Sequence, residues 1–211
     1  MSHSNQELLA LRHYARAKPL TCNLVSGNLS SFFTVKTSEP LDLYCNISKG
    51  DPVIFGKLDN KKETNIYGGF VLSRTENDDI TISPDITTCV KERRQNTRYP
   101  VSIFGYIKHG SNKENTSSAW IKDMSYEGLR ICTETSMEVD DSIDINICVY
   151  NKVLNIEGMV VRKTVLYGRN EYGIMITFRY KSLVFSIRQN IDYLVMQERR
   201  LIQNHLAALL G

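Results

Sequence analysis

The second half of the chain carries the clearest periodicity of apolar and polar residues. Between residues 143 and 149, isoleucine or valine occupies every second position, and Asp144, Asn146 and Cys148 lie between them. A period of two is typical of a β-strand with one face in a core. Residues 101–107 alternate in the same way, and further strand-like runs lie at 119–122, 129–134, 153–165 and 172–180. The polar stretch 109–117 is predicted to be a loop, and Cys132 and Cys148, which lie within strand-like runs, are expected to be buried. Because closing a sheet removes its exposed edges, about six such strands favour a small closed barrel.

The first half shows shorter β-prone runs separated by turn residues. Strands are predicted at 20–25, 32–37, 41–45, 52–57, 66–74 and 80–83. Strands at a spacing of roughly ten residues indicate a small all-β barrel or sandwich. Before them, residues 6–17 are rich in strong helix formers and end ahead of Pro19, which predicts a short N-terminal helix.

The end of the chain has a different pattern. Residues 182–210 contain no proline and no glycine, and their apolar positions recur near helical spacing. A helix of this length spans about 40 Å, more than one small barrel can cover. We therefore expect part of this helix to contact the other domain or a second chain, which leaves a homodimer through the N-terminal domain or this helix open.

Composition and charge agree with a globular protein of two small domains. Of 211 residues, 42% are hydrophobic and 23% are charged, and the formal net charge is +3. The segment 91–98 by itself carries a net +3, so a local anion site fits better than a basic face for nucleic acid. The fold prediction is two β domains with the boundaries 1–90, 91–182 including the basic linker, and 183–211 for the long helix.

The segment 91–98 and a later turn supply the candidate chemistry. Arg93, Arg94 and Arg98 place three guanidinium groups on the linker, and guanidinium binds phosphate and the guanine edge. About one strand pair later come Asp123 and Ser125, two apart on one strand face, and then Gly128. A carboxylate can accept hydrogen bonds from guanine N–H groups, and a hydroxyl can donate to phosphate.

Each of these features also has a plain structural reading. The arginines taken alone would indicate a solvated linker, and Asp, Ser and Gly are common turn residues. Trp120 precedes the turn and is expected in a core, with stacking on a base as the alternative. The occurrence of both features in this order favours a ligand site over the structural readings.

Arg94-x-x-x-Arg98 followed by Asp123-x-Ser125-x-x-Gly128 resembles the two-part motif of the PilZ domain, a bacterial receptor for cyclic di-GMP. The resemblance implies that Arg94 and Arg98 bind phosphate and guanine, that Asp123 reads a guanine edge, and that Ser125 meets phosphate. Gly128 would shape the turn. Arg93 lies directly before this pair, and in this respect the chain is similar to family members that hold two stacked ligand molecules.

The N-terminal half is similar, more loosely, to the partner domain of the flagellar brake proteins. That resemblance implies a flagellar-brake-like split barrel, then the arginine linker, the PilZ barrel and a terminal helix. It also implies a non-enzymatic receptor with no cofactor, in which cyclic di-GMP orders the linker and reorients the domains. The expected output is the regulation of motility or biofilm formation through a protein partner such as a flagellar motor component. With no signal peptide or membrane span evident in the sequence, a cytoplasmic location is expected.

Two alternatives stay open. A small barrel that binds single-stranded nucleic acid would use strand aromatics and the basic linker. A PilZ-fold adaptor would bind protein and no nucleotide. An enzyme is disfavoured, because the four histidines lie far apart and neither a phosphate-binding glycine loop nor a nucleophile set is evident.

Overall fold

The computed structural model describes residues 7–39, 47–58, 63–85, 97–110, 115–149 and 152–209. The chain divides into two compact units, one formed by residues 1–92 with 199–211 and the other by residues 93–198. The domain boundaries predicted at residues 90 and 182 remain a proposal.

The first unit is a closed barrel of antiparallel strands. Its strands are β1 (Leu8–His13), β2 (Leu20–Gly27), β3 (Phe33–Thr37), β4 (Pro52–Leu58), β5 (Thr64–Arg74) and β6 (Asp79–Pro84). They are ordered β1-β2-β3-β6-β5-β4, and the pairing of β1 with β4 closes the ring. The predicted strand at 41–45 lies outside the described residues, since positions 40–46 are not described.

The predicted N-terminal helix is wrong, because residues 8–13 form strand β1. Leu9 and Leu11 point into the barrel core, and Ala10, between them, packs on the outside against Ile202 and Leu206 of the C-terminal helix. Both faces of the strand are therefore buried, which hides the alternation expected of a half-buried strand. Pairing with β2 and β4 together with this burial outweighs a weak helix propensity.

The difference between strand and helix at this position is testable. Replacing Leu9 with alanine should lower the free energy of unfolding by about 2–4 kcal/mol, because the side chain is 1% exposed in the barrel core. The same change at Leu8, which is 37% exposed, should cost less than about 1 kcal/mol. Urea denaturation measures both values. A larger loss at Leu8 than at Leu9 would contradict the strand.

The second unit is a barrel with the same connectivity. Its strands are β7 (Tyr99–His109), β8 (Asn115–Met124), β9 (Gly128–Thr133), β10 (Ser142–Val149), β11 (Lys152–Leu166) and β12 (Arg169–Ile176). Their order is β10-β11-β12-β9-β8-β7, closed by the pairing of β7 with β10. The prediction of two β-barrels is confirmed. Apolar residues of all its strands fill the core, and Tyr172 is the largest fully buried side chain.

Two details of the second barrel differ from the sequence prediction. The polar stretch 109–117 was predicted to be a loop, but β7 extends to His109 and β8 begins at Asn115, and these two residues pair with each other. Cys148 was expected to be buried and is exposed, because its neighbour Ile147 occupies the inward position of the alternating strand. Cys132, by contrast, is buried as predicted, and burial raises the pKa of its thiol to about 11.

The long C-terminal helix predicted at 182–210 is confirmed as α1 (Lys181–Ala208). Its residues up to position 198 belong to the second unit, where Ile187, Ile191 and Leu194 join the barrel core. Its last turns belong to the first unit, where Ile202 lies so close to β4 that a Cβ on Gly56 would collide with it. In the described part of the chain, no helix combines the length and apolar character needed to cross a membrane.

Candidate functional site

Arg98, the last residue of the first motif, meets the second motif at one end of strands β7, β8 and β9. Arg98 directly precedes β7, and the register of β7 with β8 places the next residues, Tyr99 and Pro100, opposite Met124 and Asp123. The turn between β8 and β9 holds Ser125 and ends at Gly128, the first residue of β9. Pairing of β7 with β8 thus brings the last linker arginine to the acidic turn.

Asp123 is the centre of the site. Its side chain is 5% exposed, and Oδ1 accepts a 2.6 Å hydrogen bond from Arg98 Nη1. The other oxygen, Oδ2, accepts from the guanidinium of Arg130, the residue opposite Asp123 on β9. A buried carboxylate costs free energy unless it is paired, and here two guanidinium groups hold it from two sides.

Ser125 and Gly128 form the turn beside this carboxylate. The Ser125 amide and hydroxyl both donate to the Gly128 carbonyl oxygen, at 2.8 Å and 3.2 Å. Gly128 lies against β12, where an added Cβ would stand 2.5 Å from the carbonyl oxygen of Ile174. The same Cβ would lie 3.6 Å from Arg98 Nη2, so the guanidinium passes over the glycine.

Four of the six predicted site residues are therefore brought together: Arg98, Asp123, Ser125 and Gly128. Arg93 and Arg94 lie in the segment 86–96, outside the described residues, and their roles stay predictions. The phosphate contact assigned to Ser125 also stays a prediction, since its hydroxyl donates to Gly128.

A set of charged residues next to Asp123 was missed by the sequence reasoning. Glu171 on β12 is bonded by Lys122 of β8 at 2.8 Å and by Arg162 of β11 at 3.4 Å, and Arg130 lies 3.9 Å from it. The sequence carried a signal for this set, because charged residues alternate with core residues at Leu129-Arg130-Ile131 and Glu171-Tyr172. Their grouping depends on the pairing of β9 with β12, which the sequence does not specify.

An aromatic surface adjoins the charged residues on the outside of the barrel. Trp120 lies on β8 opposite Phe104 of β7, with ring centroids 6.4 Å apart, and the Arg169 guanidinium is 4.9 Å from the Trp120 ring. Trp120 is partly exposed and is absent from the core cluster of its barrel. The core position expected for this tryptophan is therefore wrong, and its indole is close to the candidate site.

The turn of the site is also connected to helix α1. Tyr126 donates a 2.6 Å hydrogen bond to Asp192, and the Arg188 guanidinium lies 5.4 Å from the Tyr126 ring. The bond to Asp192 raises the pKa of the Tyr126 hydroxyl, because it favours the protonated form. A movement of the turn would therefore disturb the contacts of Tyr126 with α1 within the same unit.

This arrangement suits an anionic ligand with hydrogen-bond donors of its own. The guanidinium of Arg98 can bind phosphate, and the Asp123 carboxylate is an acceptor for N–H groups such as those of guanine. Among the described residues, no group of three or more His, Cys, Asp or Glu side chains is arranged to hold a metal ion.

Comparison with known families agrees with this geometry. The PilZ domain family matches residues 92–190, which include the second barrel and the first turns of α1. The match spans just under half of the chain and marks this part as similar to a PilZ domain. No curated protein matches the sequence.

Several solved structures are similar to the chain at low sequence identity. Bacillus subtilis inhibitor of motility MotI/DgrA is 11% identical, with 92% of this chain and 98% of that chain covered and a TM-score of 0.41. K. pneumonia MrkH in a complex with c-di-GMP is 14% identical, with coverages of 92% and 90% and a TM-score of 0.44. Escherichia coli YcgR in complex with c-di-GMP is 12% identical, with coverages of 94% and 88% and a TM-score of 0.44.

Proposed function

We propose that this chain is a receptor for cyclic di-GMP, which binds on the outside of the second barrel at Arg98 and Asp123. The observation that carries the proposal is the position of the Arg98 guanidinium. It lies over Gly128 and bonds the buried Asp123 carboxylate, so a phosphate-binding group and a guanine-binding group share one site. The match of residues 92–190 to the PilZ domain supports the same ligand.

Each part of the ligand has a matching group in the site. The phosphodiester is an anion and would bind the guanidinium of Arg98 together with Arg93 and Arg94 of the linker. The guanine N1–H and N2–H₂ groups would donate to Asp123, whose two oxygens provide about four acceptor positions. Trp120, near the site and the only tryptophan of the chain, would report binding through its fluorescence.

The linker supplies the regulatory part of the proposal. When cyclic di-GMP binds, the segment that holds Arg93 and Arg94 becomes ordered over the ligand, and the arrangement of the two units changes. A protein partner then recognises the changed surface, and the resemblance to the brake proteins makes a flagellar motor component the expected partner. The ligand can shift this equilibrium only by its difference in affinity for the two arrangements.

Isothermal titration of the full chain with cyclic di-GMP, GTP and cyclic di-AMP tests the receptor proposal. The expected result is saturable heat with cyclic di-GMP and binding at least about tenfold weaker for the other two nucleotides. Adenine in cyclic di-AMP cannot donate two hydrogen bonds to Asp123, and GTP carries a single guanosine on a linear triphosphate in place of the cyclic phosphodiester. A fitted value of two ligands per chain would support the two stacked ligands expected from Arg93. A value of one would refute that stoichiometry and leave the receptor proposal intact. The absence of heat with cyclic di-GMP at low salt would refute the proposal.

Replacing Arg98 with alanine should weaken cyclic di-GMP binding by about 30-fold in the same titration, because a charge-assisted hydrogen bond to phosphate is lost. The control is Arg179→Ala in the same barrel unit, which removes an exposed ion pair with Glu157 and should leave the affinity unchanged. Equal affinities of the Arg98 and Arg179 variants would contradict the site.

Binding of single-stranded nucleic acid is the second candidate, and one observation favours it. Phe104, Tyr106 and Trp120 form an aromatic surface on β7 and β8, with Phe104 and Tyr106 ring centroids 5.1 Å apart. Bases stack on such surfaces. Titration with oligonucleotides of increasing length would show affinity that rises with length and falls steeply with salt if this candidate were correct.

A further inference from the structure

Glu171 is a buried carboxylate outside the two motifs. It lies on the outside of β12 with its side chain 6% exposed, although the neighbouring Tyr172 points into the core. Three cationic side chains surround it, with Lys122 Nζ at 2.8 Å, Arg162 Nη2 at 3.4 Å and Arg130 Nη1 at 3.9 Å. The charged form of a carboxylate with so little exposure is stable only when cationic groups pair with it.

Arg130 connects Glu171 to the centre of the site. The register places Arg130 opposite Asp123 on one side and opposite Gly173 on the other, and Glu171 is two residues before Gly173. One guanidinium therefore lies between two buried carboxylates, with Asp123 Oδ2 on one edge and Glu171 on the other. The side chain of Arg130 is 12% exposed, so it has little freedom to turn to solvent.

This connection bears on how Asp123 is oriented. Glu171 Oε1 lies 3.9 Å from Arg130 Nη1, within reach of an ion pair and beyond hydrogen-bond distance, and this attraction favours the orientation in which Arg130 donates to Asp123 Oδ2. The carboxylate plane of Asp123 is then fixed, and Oδ1 points to Arg98 on the ligand side. Without Glu171, the Arg130 guanidinium could rotate, and the acceptor direction of Asp123 would no longer match two parallel guanine N–H donors.

We propose that Glu171, acting through Arg130, is a positioning residue that sets the preference of the site for guanine over adenine. The site thus extends beyond the linker and the β8–β9 turn to strand β12. The inference rests on the proposed function, since it describes how the same site selects its base. The inference concerns the ratio of the affinities for cyclic di-GMP and cyclic di-AMP, and a merely structural residue would not change that ratio.

The test compares Glu171→Gln with the wild-type chain in competition against a fluorescent cyclic di-GMP, with unlabelled cyclic di-GMP and cyclic di-AMP as competitors. Glutamine keeps the size of the side chain and removes its charge. The expected result is a ratio of the two affinities that falls roughly tenfold, since a misdirected charged acceptor loses about one strong hydrogen bond to guanine. Glu157→Gln, an equal change of charge at an exposed ion pair of the same unit, should leave the ratio unchanged.

A ratio unchanged in a folded Glu171→Gln variant would overturn the inference, as would an equal loss of affinity for both nucleotides. Should the single change prevent folding by leaving Lys122 buried without its carboxylate, the double variant Lys122→Met with Glu171→Gln removes both charges and is held to the same criterion. A wild-type chain that does not bind cyclic di-GMP would refute the proposed function, and this inference with it. A wild type that binds while the variant keeps its ratio refutes only the role of Glu171.

Discussion

Replacing Asp123 with alanine should lower the affinity for cyclic di-GMP by at least about a hundredfold. Two hydrogen bonds from guanine to a charged acceptor are lost, and such bonds contribute about 1.5–3 kcal/mol each. The guanidinium groups of Arg98 and Arg130 also lose the carboxylate that both of them bond. Their mutual repulsion would move Arg98 away from the position over Gly128, which removes a phosphate contact as well.

Isothermal titration measures this loss, and two further variants make it specific. Asp123→Asn keeps the size and one acceptor oxygen, so it should retain the fold and bind cyclic di-GMP more weakly than the wild type but better than the alanine variant. Asp144→Ala changes an aspartate on β10, opposite Lys108, and should bind like the wild type. Unchanged affinity in Asp123→Ala would show that the ligand does not use this carboxylate.

Replacing Gly128 with alanine should destabilise the second barrel by about 1–3 kcal/mol. The new methyl group would stand 2.5 Å from the Ile174 carbonyl oxygen, a distance that real Cβ contacts essentially never show. The obstacle is a backbone atom of β12, the strand that pairs with β9, so relief requires a shift of the strand pair. The Ser125–Gly128 turn would move with it, and ligand affinity should fall together with stability.

Gly173→Ala provides the comparison for Gly128→Ala. A Cβ on Gly173 would lie 3.4 Å from the Arg162 Cβ, an ordinary contact, so its free energy of unfolding should remain within about 1 kcal/mol of the wild type. Thermal and urea denaturation of both variants measures the difference. Equal stabilities would mean that β9 and β12 are not as close as the structure places them.

Much of the fold could be predicted from local patterns. The alternation at 143–149 predicted β10 because one face of that strand fills the core and the other does not. The absence of proline and glycine over 182–210, together with helical spacing of apolar residues, predicted α1 to within two residues. In both elements, the residues of the buried face recur at the period of the element, and this recurrence is visible in the sequence.

The N-terminal strand could not be predicted in this way. Residues 9–13 are buried on both faces of the strand, by the barrel core on one side and by the last turns of α1 on the other. The second of these partners lies almost two hundred residues away in the sequence, and no local pattern encodes it. Helix propensity was then the only local signal left, and it pointed to the wrong element.

The candidate site could likewise be predicted only in part from the sequence. Arg98 and Asp123 could be assigned to one site from the sequence because the two motifs that contain them resemble those of the PilZ domain. Arg130 and Glu171 could not, because their contact depends on the register of β9 with β12. The equivalent turn of the first barrel, between β2 and β3, has Asn28 and Ser30 but Phe33 where the second barrel has Gly128. Equal strand order therefore does not by itself create the site.

A crystal structure of the chain with cyclic di-GMP would measure the distances from ligand atoms to Arg98 and Asp123, on which the proposed receptor function depends. We expect a guanine N–H group within about 3 Å of Asp123 and a phosphate oxygen within about 3 Å of the Arg98 guanidinium, with linker arginines over the same ligand. A ligand bound elsewhere, or bound here while Arg98 points away from it, would refute a cyclic di-GMP site at these residues.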